Sequence, residues 1–443
     1  MSGHGPGEWH IALASVADAE AMAALYREAY PTAPGLPTGS GYPFPQYMDG
    51  AWLADSLSAS EFCWLVAKRA GELIGCLGAA TNISLPSDDD RVAELTGLVV
   101  SKRCRGKGIG QSLLKAMCRE LEGGGAFFLL AETRTGNLGG FKGTVKAGFI
   151  PIGFEPFAHD VVGQYEHMIM MGKLLSGACE SRTLHYRTSP VAHRLGSACL
   201  RLLRQPMPPC QPAAAYPLEF ANKPSDPRLF TRLNTDFGLS GDLDFCRGPL
   251  IVERITSTLY EVVSAGLQGH RSGVVGLRRI QGLSREELRF LDLHYAMRQQ
   301  NEVLGVARVS VDLQDRRARV LQLGVQFDGL QAFFLRRVLY HIQGEEPLQQ
   351  LACAVVDVRA DFVPLHASLQ AMGFFPTVYY PAFVATEAGR VDAVQFTRIF
   401  GEDLHDVPEP VSELGPDVTD IIRIVLASRN QVRGDSQKLA ANG

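Results

Sequence analysis

The sequence feature that most limits the possible folds is a pattern that occurs in both halves of the chain. Residues 148–157 read Gly-Phe-Ile-Pro-Ile-Gly-Phe-Glu-Pro-Phe, and residues 373–382 read Gly-Phe-Phe-Pro-Thr-Val-Tyr-Tyr-Pro-Ala. Because one spacing recurs without a gap, it indicates an internal repeat, and we expect two related domains in the 443 residues. The same spacing relates two further pairs of segments, 131–134 with 356–359 and 167–172 with 392–397.

The first 176 residues alternate between patterns typical of strands and of helices. This order predicts an α/β fold in which helices cover the faces of a mixed sheet. The glycines and prolines of 31–46 predict a loop. Short apolar runs predict strands at 9–15, 63–68, 73–83, 94–100, 127–132, 150–157 and 167–174, and apolar residues at helical spacing predict helices at 16–30, 108–122 and 139–146.

Composition narrows the class of protein further. The chain has 46% hydrophobic and 20% charged residues, as expected of a folded protein, and its net charge of −4 argues against a binder of polyanions. Its nine cysteines include no C-x-x-C pair, which argues against a zinc site and favours a reduced compartment. We find neither a signal-peptide pattern nor an apolar stretch of about 18 residues. We therefore expect a cytoplasmic protein without a membrane span or a bound metal.

A glycine-rich, basic segment joins a predicted strand to a predicted helix. It reads Ser-Lys-Arg-Cys-Arg-Gly-Lys-Gly-Ile-Gly at residues 101–110. Its glycines let consecutive N–H groups point at one anion, and the helix dipole favours negative charge there. Arg103, Arg105 and Lys107 add the positive charge that suits a polyphosphate. An ordinary turn with solvated charges is the alternative interpretation.

The part of this loop from Arg105 to Gly110 resembles the R/Q-x-x-G-x-G/A acyl-CoA loop of the GNAT acyltransferase superfamily. A second block fits as well, because Asn137 precedes Gly148 by eleven residues and Phe149 follows. The resemblance implies a mostly antiparallel sheet, splayed so that pantetheine enters between parted strands, and acetyl-CoA or another acyl-CoA as co-substrate. It assigns the acyl-CoA contacts to Leu98, Val99, Val100, Arg105, Gly106, Lys107, Gly108, Ile109, Gly110 and Asn137.

The resemblance also implies acyl transfer to an amine, which must lose a proton before it attacks. The general base of the family lies eleven residues ahead of Arg105, at Glu94. A carboxylate in an apolar strand is expected to have a raised pKa, which suits a base, although Glu94 could instead end a solvated loop. Thr144 stands where many relatives have a tyrosine as general acid, so protonation would come from water, from Tyr42 or from no group.

Candidate substrate contacts lie on two segments. Tyr42 and Phe44 belong to a rigid loop at the position where relatives build the acceptor pocket, while Glu132 and Arg134 share one face of a strand. A packed loop without a ligand and a simple pairing of Glu132 with Arg134 are the alternatives.

The second copy of the repeat lacks the features that acyl-CoA chemistry needs. Residues 330–335, which align with the glycine-rich loop, read Leu-Gln-Ala-Phe-Phe-Leu, and Arg319 aligns with Glu94. We therefore expect two tandem GNAT-like domains, a catalytic one at 1–176 and a degenerate one at 216–402 that has a structural or substrate-shaping role.

Residues 177–215 are expected to be a basic, proline-containing linker with an amphipathic helix, and 403–443 a C-terminal helix, over Asp417–Arg429, followed by a frayed tail. Solvated arginines are the simplest interpretation of this linker, and an RNA-backbone patch or a membrane-surface helix are the alternatives. The arginines concerned are Arg182, Arg187, Arg194, Arg201 and Arg204.

The leading hypothesis is an acyl-CoA-dependent N-acyltransferase that transfers acetyl to a small amine or an amino-acid-like metabolite. One alternative is an amide-forming enzyme of the same fold that takes its acyl group from aminoacyl-tRNA, with the arginine-rich linker as the RNA contact. The other is a non-catalytic sensor that binds CoA.

Overall fold

The computed structural model describes residues 9–30, 44–85, 91–135, 138–161, 164–216, 218, 250–267, 272–277, 289–345, 348–400 and 414–441. Tyr42 and Asn137, both named from the sequence, lie outside these residues. The chain divides into two compact units, of which the first consists mainly of residues 9–182 and the second mainly of residues 183–400.

The first unit is a mixed sheet with helices. Its helices are α1 Ala19–Ala29, α2 Gly50–Ser58, α3 Ile109–Gly123 and α4 Leu138–Lys146, with 3-10 turns at Val16–Asp18, Pro45–Met48 and Lys102–Cys104. Its strands are β1 Trp9–Leu13, β2 Phe62–Arg69, β3 Glu72–Ala80, β4 Ser84–Leu85, β5 Val92–Val100, β6 Phe128–Arg134, β7 Ile150–Val161 and β8 Gln164–Leu174. The strand order is β1-β2-β3-β5-β6-β8-β7, and β5 and β6 are the parallel pair in an otherwise antiparallel arrangement.

The parallel pair is paired along only part of its length. Cα partners run from Val92 with Phe128 to Leu95 with Ala131, whereas both strands continue for several residues beyond this point. At the same level β5 carries an extra residue relative to β3, and Gly97 there has φ of +64°. A β-bulge at Gly97 bends the strand, so the two strands part at the centre of the sheet. The predicted splayed sheet is confirmed in this respect.

Helix α3 begins as the sequence pattern predicts. Gly108 is its N-cap residue in the left-handed region, and the side chains of Ile109, Leu113, Leu114 and Met117 are buried on one face. Gly110 packs against strand β5, since a Cβ there would lie 3.7 Å from the side chains of Leu98 and Val100. The glycine-rich loop therefore follows β5 directly and leads into the first turn of α3.

The second unit repeats this topology. Its helices are α5 Pro190–Leu203, α6 Ser257–Gly266, α7 Gln331–Gly344 and α8 Val363–Ala371, with 3-10 turns at Asp328–Leu330 and Leu348–Gln350. Its strands are β9 Leu250–Ile255, β10 Gly276–Leu277, β11 Phe290–Gln299, β12 Glu302–Asp312, β13 Arg317–Val325, β14 Cys353–Arg359, β15 Phe375–Thr386 and β16 Gly389–Ile399. The strand order is β9-β11-β12-β13-β14-β16-β15, with β13 and β14 as the parallel pair.

Strand register also repeats with the spacing of 225 residues. Glu94 pairs with Leu130 in the first unit, and Arg319 pairs with Val355 in the second. The antiparallel pair β7–β8 has irregularities after Pro151 and after Glu155, and β15–β16 has them after Pro376 and after Tyr380. Helices α4 and α8 also begin and end 225 residues apart. The repeat seen in the sequence is thus a repeat of backbone geometry.

The basic segment before the second sheet is part of the second unit. Helix α5 begins with the Ser189 hydroxyl accepting a hydrogen bond from the amide of Ala192 at 3.3 Å, and it buries Val191, Leu195 and Cys199. Of the five arginines, Arg182 is buried, whereas the other four are exposed, namely Arg187, Arg194, Arg201 and Arg204.

The last helix, α9, spans Pro416–Ala441 and so continues well beyond Arg429, where the sequence predicted its end. Gly434 lies inside it, and one glycine costs a helix only about 1 kcal/mol relative to alanine, which the surrounding good helix formers tolerate. Among the described residues, no helix is both long and apolar enough to cross a membrane.

Candidate functional site

A cavity of about 140 Å³ lies in the first unit where β5 and β6 part. It brings together several residues that the sequence singled out, Phe44, Glu94, Leu98, Glu132 and Arg134, and it also contacts Thr144. The remaining residues that line it are Tyr30, Leu77, Leu95, Thr96, Gly97, Leu114, Ala131, Thr133, Gly140, His159 and Met168.

Glu94 is the most deeply buried acid on the cavity wall, with 2% of its surface exposed. It lies on β5 between Ala80 of β3 and Leu130 of β6. The interpretation in which Glu94 merely ends a solvated loop is therefore wrong, because the strand begins two residues earlier, at Val92. A carboxylate held in this way faces the cavity rather than bulk water.

Tyr47 packs close to this carboxylate. Its hydroxyl lies 2.6 Å from the Thr96 hydroxyl, and burial raises the pKa of Tyr47 well above its ordinary value, to which the charge of Glu94 adds. Tyr47 also packs on Phe44, with ring centroids 5.6 Å apart. Tyr47 therefore remains protonated and fixes the aromatic wall beside Glu94.

Two further acid pairs line or adjoin the cavity. Nε2 of His159 lies 3.2 Å from Oε2 of Glu132, and the His159 side chain is fully buried. Arg134 forms an ion pair with Glu166 of the neighbouring strand β8. The alternative in which Glu132 and Arg134 simply pair with each other is not the arrangement found, since each has its own partner.

Three cavity residues were not predicted from the sequence: Tyr30, Thr96 and His159. The sequence predicted that β7 ends at Phe157, whereas a bulge allows the strand to continue to Val161. Phe157 has φ of +55°, which a bulky residue rarely adopts and no residue pattern announces. His159 is therefore brought into the site by a local backbone irregularity. Its counterpart in the second unit, Ala382, has the same unusual φ of +49° at the position equivalent to Phe157.

Two hydroxyl groups near the cavity differ in what they can do. The Thr144 hydroxyl donates a hydrogen bond to the Gly140 carbonyl at 2.9 Å, within helix α4. Burial raises the pKa of Tyr30, while the charges of Arg134 and Arg105 oppose this rise. Thr144 is thus held by its own helix, and Tyr30 is a protonated hydroxyl on the cavity wall.

The loop before α3 is open to solvent at its two glycines. Gly106 and Gly108 have φ of +74° and +81°, and a Cβ at either position would meet no atom within 4 Å. These glycines are required by backbone conformation and not by crowding within the protein. The side chains of Arg105 and Lys107 are exposed beside them, whereas Ile109 is buried and anchors the helix.

The base of the loop is held by two acidic residues. Oε1 of Glu28 accepts hydrogen bonds from the Ser101 hydroxyl and the Lys102 amide, both at 3.2 Å, and Glu72 forms an ion pair with Arg103. The Arg105 side chain donates to the Val100 carbonyl at 3.3 Å. The turn that presents the loop amides is therefore fixed from below. Among the described residues, no group of acidic, histidine and cysteine side chains is arranged to hold a metal ion.

Comparison with known proteins gives the same class of domain. Residues 19–141 match the model of the acetyltransferase (GNAT) family, so the chain contains an acetyltransferase domain of this family. The matched region includes β5, the glycine-rich loop and α3, together with Glu94. No curated protein matches the chain.

Several solved structures resemble part of the chain, each over 38% of its length. The ribosomal-protein-alanine N-acetyltransferase from Brucella melitensis is 23% identical, with 99% of its own chain covered and a TM-score of 0.33. The GNAT-family acetyltransferase from Streptococcus pneumoniae is 20% identical, with 100% covered and a TM-score of 0.32. The paia N-acetyltransferase from Thermoplasma acidophilum in complex with coenzyme A is 19% identical, with 99% covered and a TM-score of 0.29. At these scores, the similarity supports no assignment of individual residues.

Proposed function

We propose that the first unit is an acetyl-CoA-dependent N-acetyltransferase that acts on a small amine. The observation that carries this proposal is the cavity between the parted strands β5 and β6, with a buried carboxylate, Glu94, on its wall and a glycine-rich helix N-terminus at the end of the same strand. Residues 1–176 would form the catalytic domain.

The residues present fit acetyl-CoA. Loop amides at 106–110 would bind the pyrophosphate, because the glycines leave the backbone open to a ligand and the N-terminus of the 15-residue helix α3 favours negative charge. Arg105 and Lys107 add two exposed cations beside the loop. Leu98, beside the bulge, would direct its amide at the thioester carbonyl. When bound, acetyl-CoA supplies an acetyl group activated as a thioester.

Glu94 would act as the general base. It accepts a proton from the ammonium of the acceptor, and the neutral amine then forms a bond from nitrogen to the thioester carbon. The bond from carbon to sulfur breaks, and its electron pair leaves with the sulfur. Because a thiol has a pKa of about 8.5, the departing thiolate needs no strong acid near neutral pH. This agrees with a Thr144 hydroxyl that is engaged by its own helix.

The second unit, including residues 216–402, would be a degenerate copy without acetyl transfer. In place of Glu94 it has Arg319, whose Nη1 lies 2.6 Å from Oδ2 of the buried Asp357. Gln395 and Tyr380 complete this network, with the Tyr380 hydroxyl donating to Oε1 of Gln395 at 3.0 Å. An internal ion pair thus occupies the position of the catalytic carboxylate.

Calorimetric titration of acetyl-CoA tests the proposal. Gly108→Trp should weaken binding by more than about tenfold, since a bulky side chain blocks the approach of pyrophosphate to the loop. Gly71→Trp is a matched control, because Gly71 also has a positive φ, +83°, and open space around it, but lies in the β2–β3 turn. Equal loss of binding in both variants, or no binding by the wild-type protein, would contradict the proposal.

A further inference from the structure

The charges around the cavity of the first unit are unbalanced. Among the described lining residues, the permanently charged side chains are Glu94, Glu132 and Arg134. Arg134 is already neutralised by its ion pair with Glu166, and both members of that pair are largely buried. A carboxylate on the acceptor would therefore meet two acidic groups and a cation that is already paired, whereas an ammonium would be attracted.

The two acids lie on the same face of the sheet. Glu94 is beside Leu130 across the parallel pair, and Glu132 follows Leu130 by two residues on β6. Side chains two residues apart on a strand point to the same side and are separated by about 6.6 Å along the strand. The cavity can thus present one carboxylate to the reacting nitrogen and a second one to another part of the acceptor.

His159 holds the second carboxylate in position. Its ring is fully buried, lies edge-on to Phe44 with centroids 5.6 Å apart, and brings Nε2 within 3.2 Å of Oε2 of Glu132. A carboxylate has two oxygens and accepts several hydrogen bonds, so the contact with His159 is compatible with a further contact to a ligand. His159 is therefore a positioning residue for Glu132.

We infer that the acceptor is a short diamine without a carboxylate. The reacting amine would face Glu94, and the second ammonium would contact Glu132. This inference rests on the proposed acetyltransferase function and goes beyond it by choosing between a cationic amine and an amino-acid-like acceptor. The second ammonium takes no part in bond formation and only orients the acceptor.

Three acceptors with the same three-carbon chain test the inference: propylamine, 1,3-diaminopropane and β-alanine. They differ at the far end, which carries a methyl group, an ammonium or a carboxylate. Acetylation by the wild-type protein should give kcat/KM highest for 1,3-diaminopropane, by about tenfold over propylamine, and lowest for β-alanine. A rate for β-alanine equal to or above that for propylamine would overturn the inference.

Variants then separate recognition from folding. Glu132→Gln should reduce the preference for 1,3-diaminopropane over propylamine to about one, because the ratio cancels any general loss of active protein. His159→Phe should reduce it as well, whereas His159→Gln, which keeps a hydrogen-bond donor, should retain most of it. An unchanged preference in Glu132→Gln would overturn the assignment of Glu132.

Acetyl-CoA binding, measured separately by calorimetry, distinguishes the two levels of the argument. Binding of acetyl-CoA without acetylation of any of the three amines would overturn the diamine inference and leave the acetyl-CoA site in place. Absence of acetyl-CoA binding would overturn the proposed function and, with it, this inference.

Discussion

Glu94 of the first unit and Arg319 of the second occupy the same position in two sheets of identical strand order. Around Glu94 the structure has a cavity, whereas around Arg319 it has a buried ion pair with Asp357, which is the counterpart of Glu132. One reversal of charge has converted a pair of acids that can bind a cationic ligand into a contact that the protein satisfies by itself. The same scaffold thus supports either chemistry or internal stability at this position.

The backbone of the two units differs less than their side chains. Each has a bulged pair of strands at the same register and an extra residue on the strand that carries Glu94 or Arg319. The loop before the first helix is different, because Gly106 and Gly108 are replaced by the register positions of Gln331 and Phe333, both buried. Without an open backbone there, the second unit has no counterpart of the anion-binding turn.

The largest expected effect comes from removing the carboxylate that only the first unit has. Glu94→Gln should lower kcat for acetyl transfer by about 10³-fold, because the amine loses its proton acceptor, while acetyl-CoA binding stays unchanged. Steady-state kinetics and calorimetry on the same preparation check this. If kcat fell by less than tenfold, Glu94 would not be the base, and the two units would differ less in function than their sites imply.

A slightly smaller effect is expected at the equivalent position of the second unit. Arg319→Ala leaves Asp357 as an uncompensated buried charge, which should lower the free energy of unfolding by about 3–4 kcal/mol. Arg359→Ala is a matched control, because its ion pair with Asp361 is partly exposed and should cost about 1 kcal/mol or less. Urea unfolding of the full chain measures both. Equal losses would show that burial of the Arg319–Asp357 pair is unimportant.

The pH dependence of stability should also distinguish the units. Burial lowers the pKa of His366 in the second unit to about 4, and the first unit has Phe141 at the equivalent position. Because the unfolded chain binds this proton more readily, the contribution of His366 is fully present above pH of about 6.5 and is lost as pH falls towards 4, up to about 3 kcal/mol.

The measurement is urea unfolding at a series of pH values between 4 and 7. His366→Gln keeps a polar group near the Ser189 hydroxyl, which lies 2.8 Å from Nδ1 of His366, and should flatten the profile in that range. A variant profile as steep as that of the wild-type protein would assign the acid sensitivity to other groups.

The smallest effect is expected at Thr144, whose counterpart in the second unit is Leu369. Since the Thr144 hydroxyl is used by the Gly140 carbonyl, Thr144→Ala should change kcat by less than about threefold. A loss of about a hundredfold would instead identify Thr144 as a proton donor. Tyr30→Phe, measured in parallel, tests the other hydroxyl of the cavity.

Much of the architecture could be predicted from the sequence, because it depends on local rules. Helix α3 and its N-terminus follow from the spacing of Ile109, Leu113 and Met117 and from the glycines before them. Errors occurred where a residue adopts an unusual conformation for its type. Strand β7 continues past Phe157, and α9 continues past Arg429, because surrounding structure compensates for a local preference.

The sequence by itself determined the repeat, the position of the glycine-rich loop and the choice of Glu94, since each depends on spacing along the chain. Only the tertiary structure decided which side chains meet. Arg134 pairs with Glu166 and Glu132 with His159, although these partners are 32 and 27 residues apart. Such contacts are set by strand pairing and by a bulge, whose effects on side-chain direction are not encoded in any single residue. For that reason the loop could be predicted in advance, and the acceptor site could not.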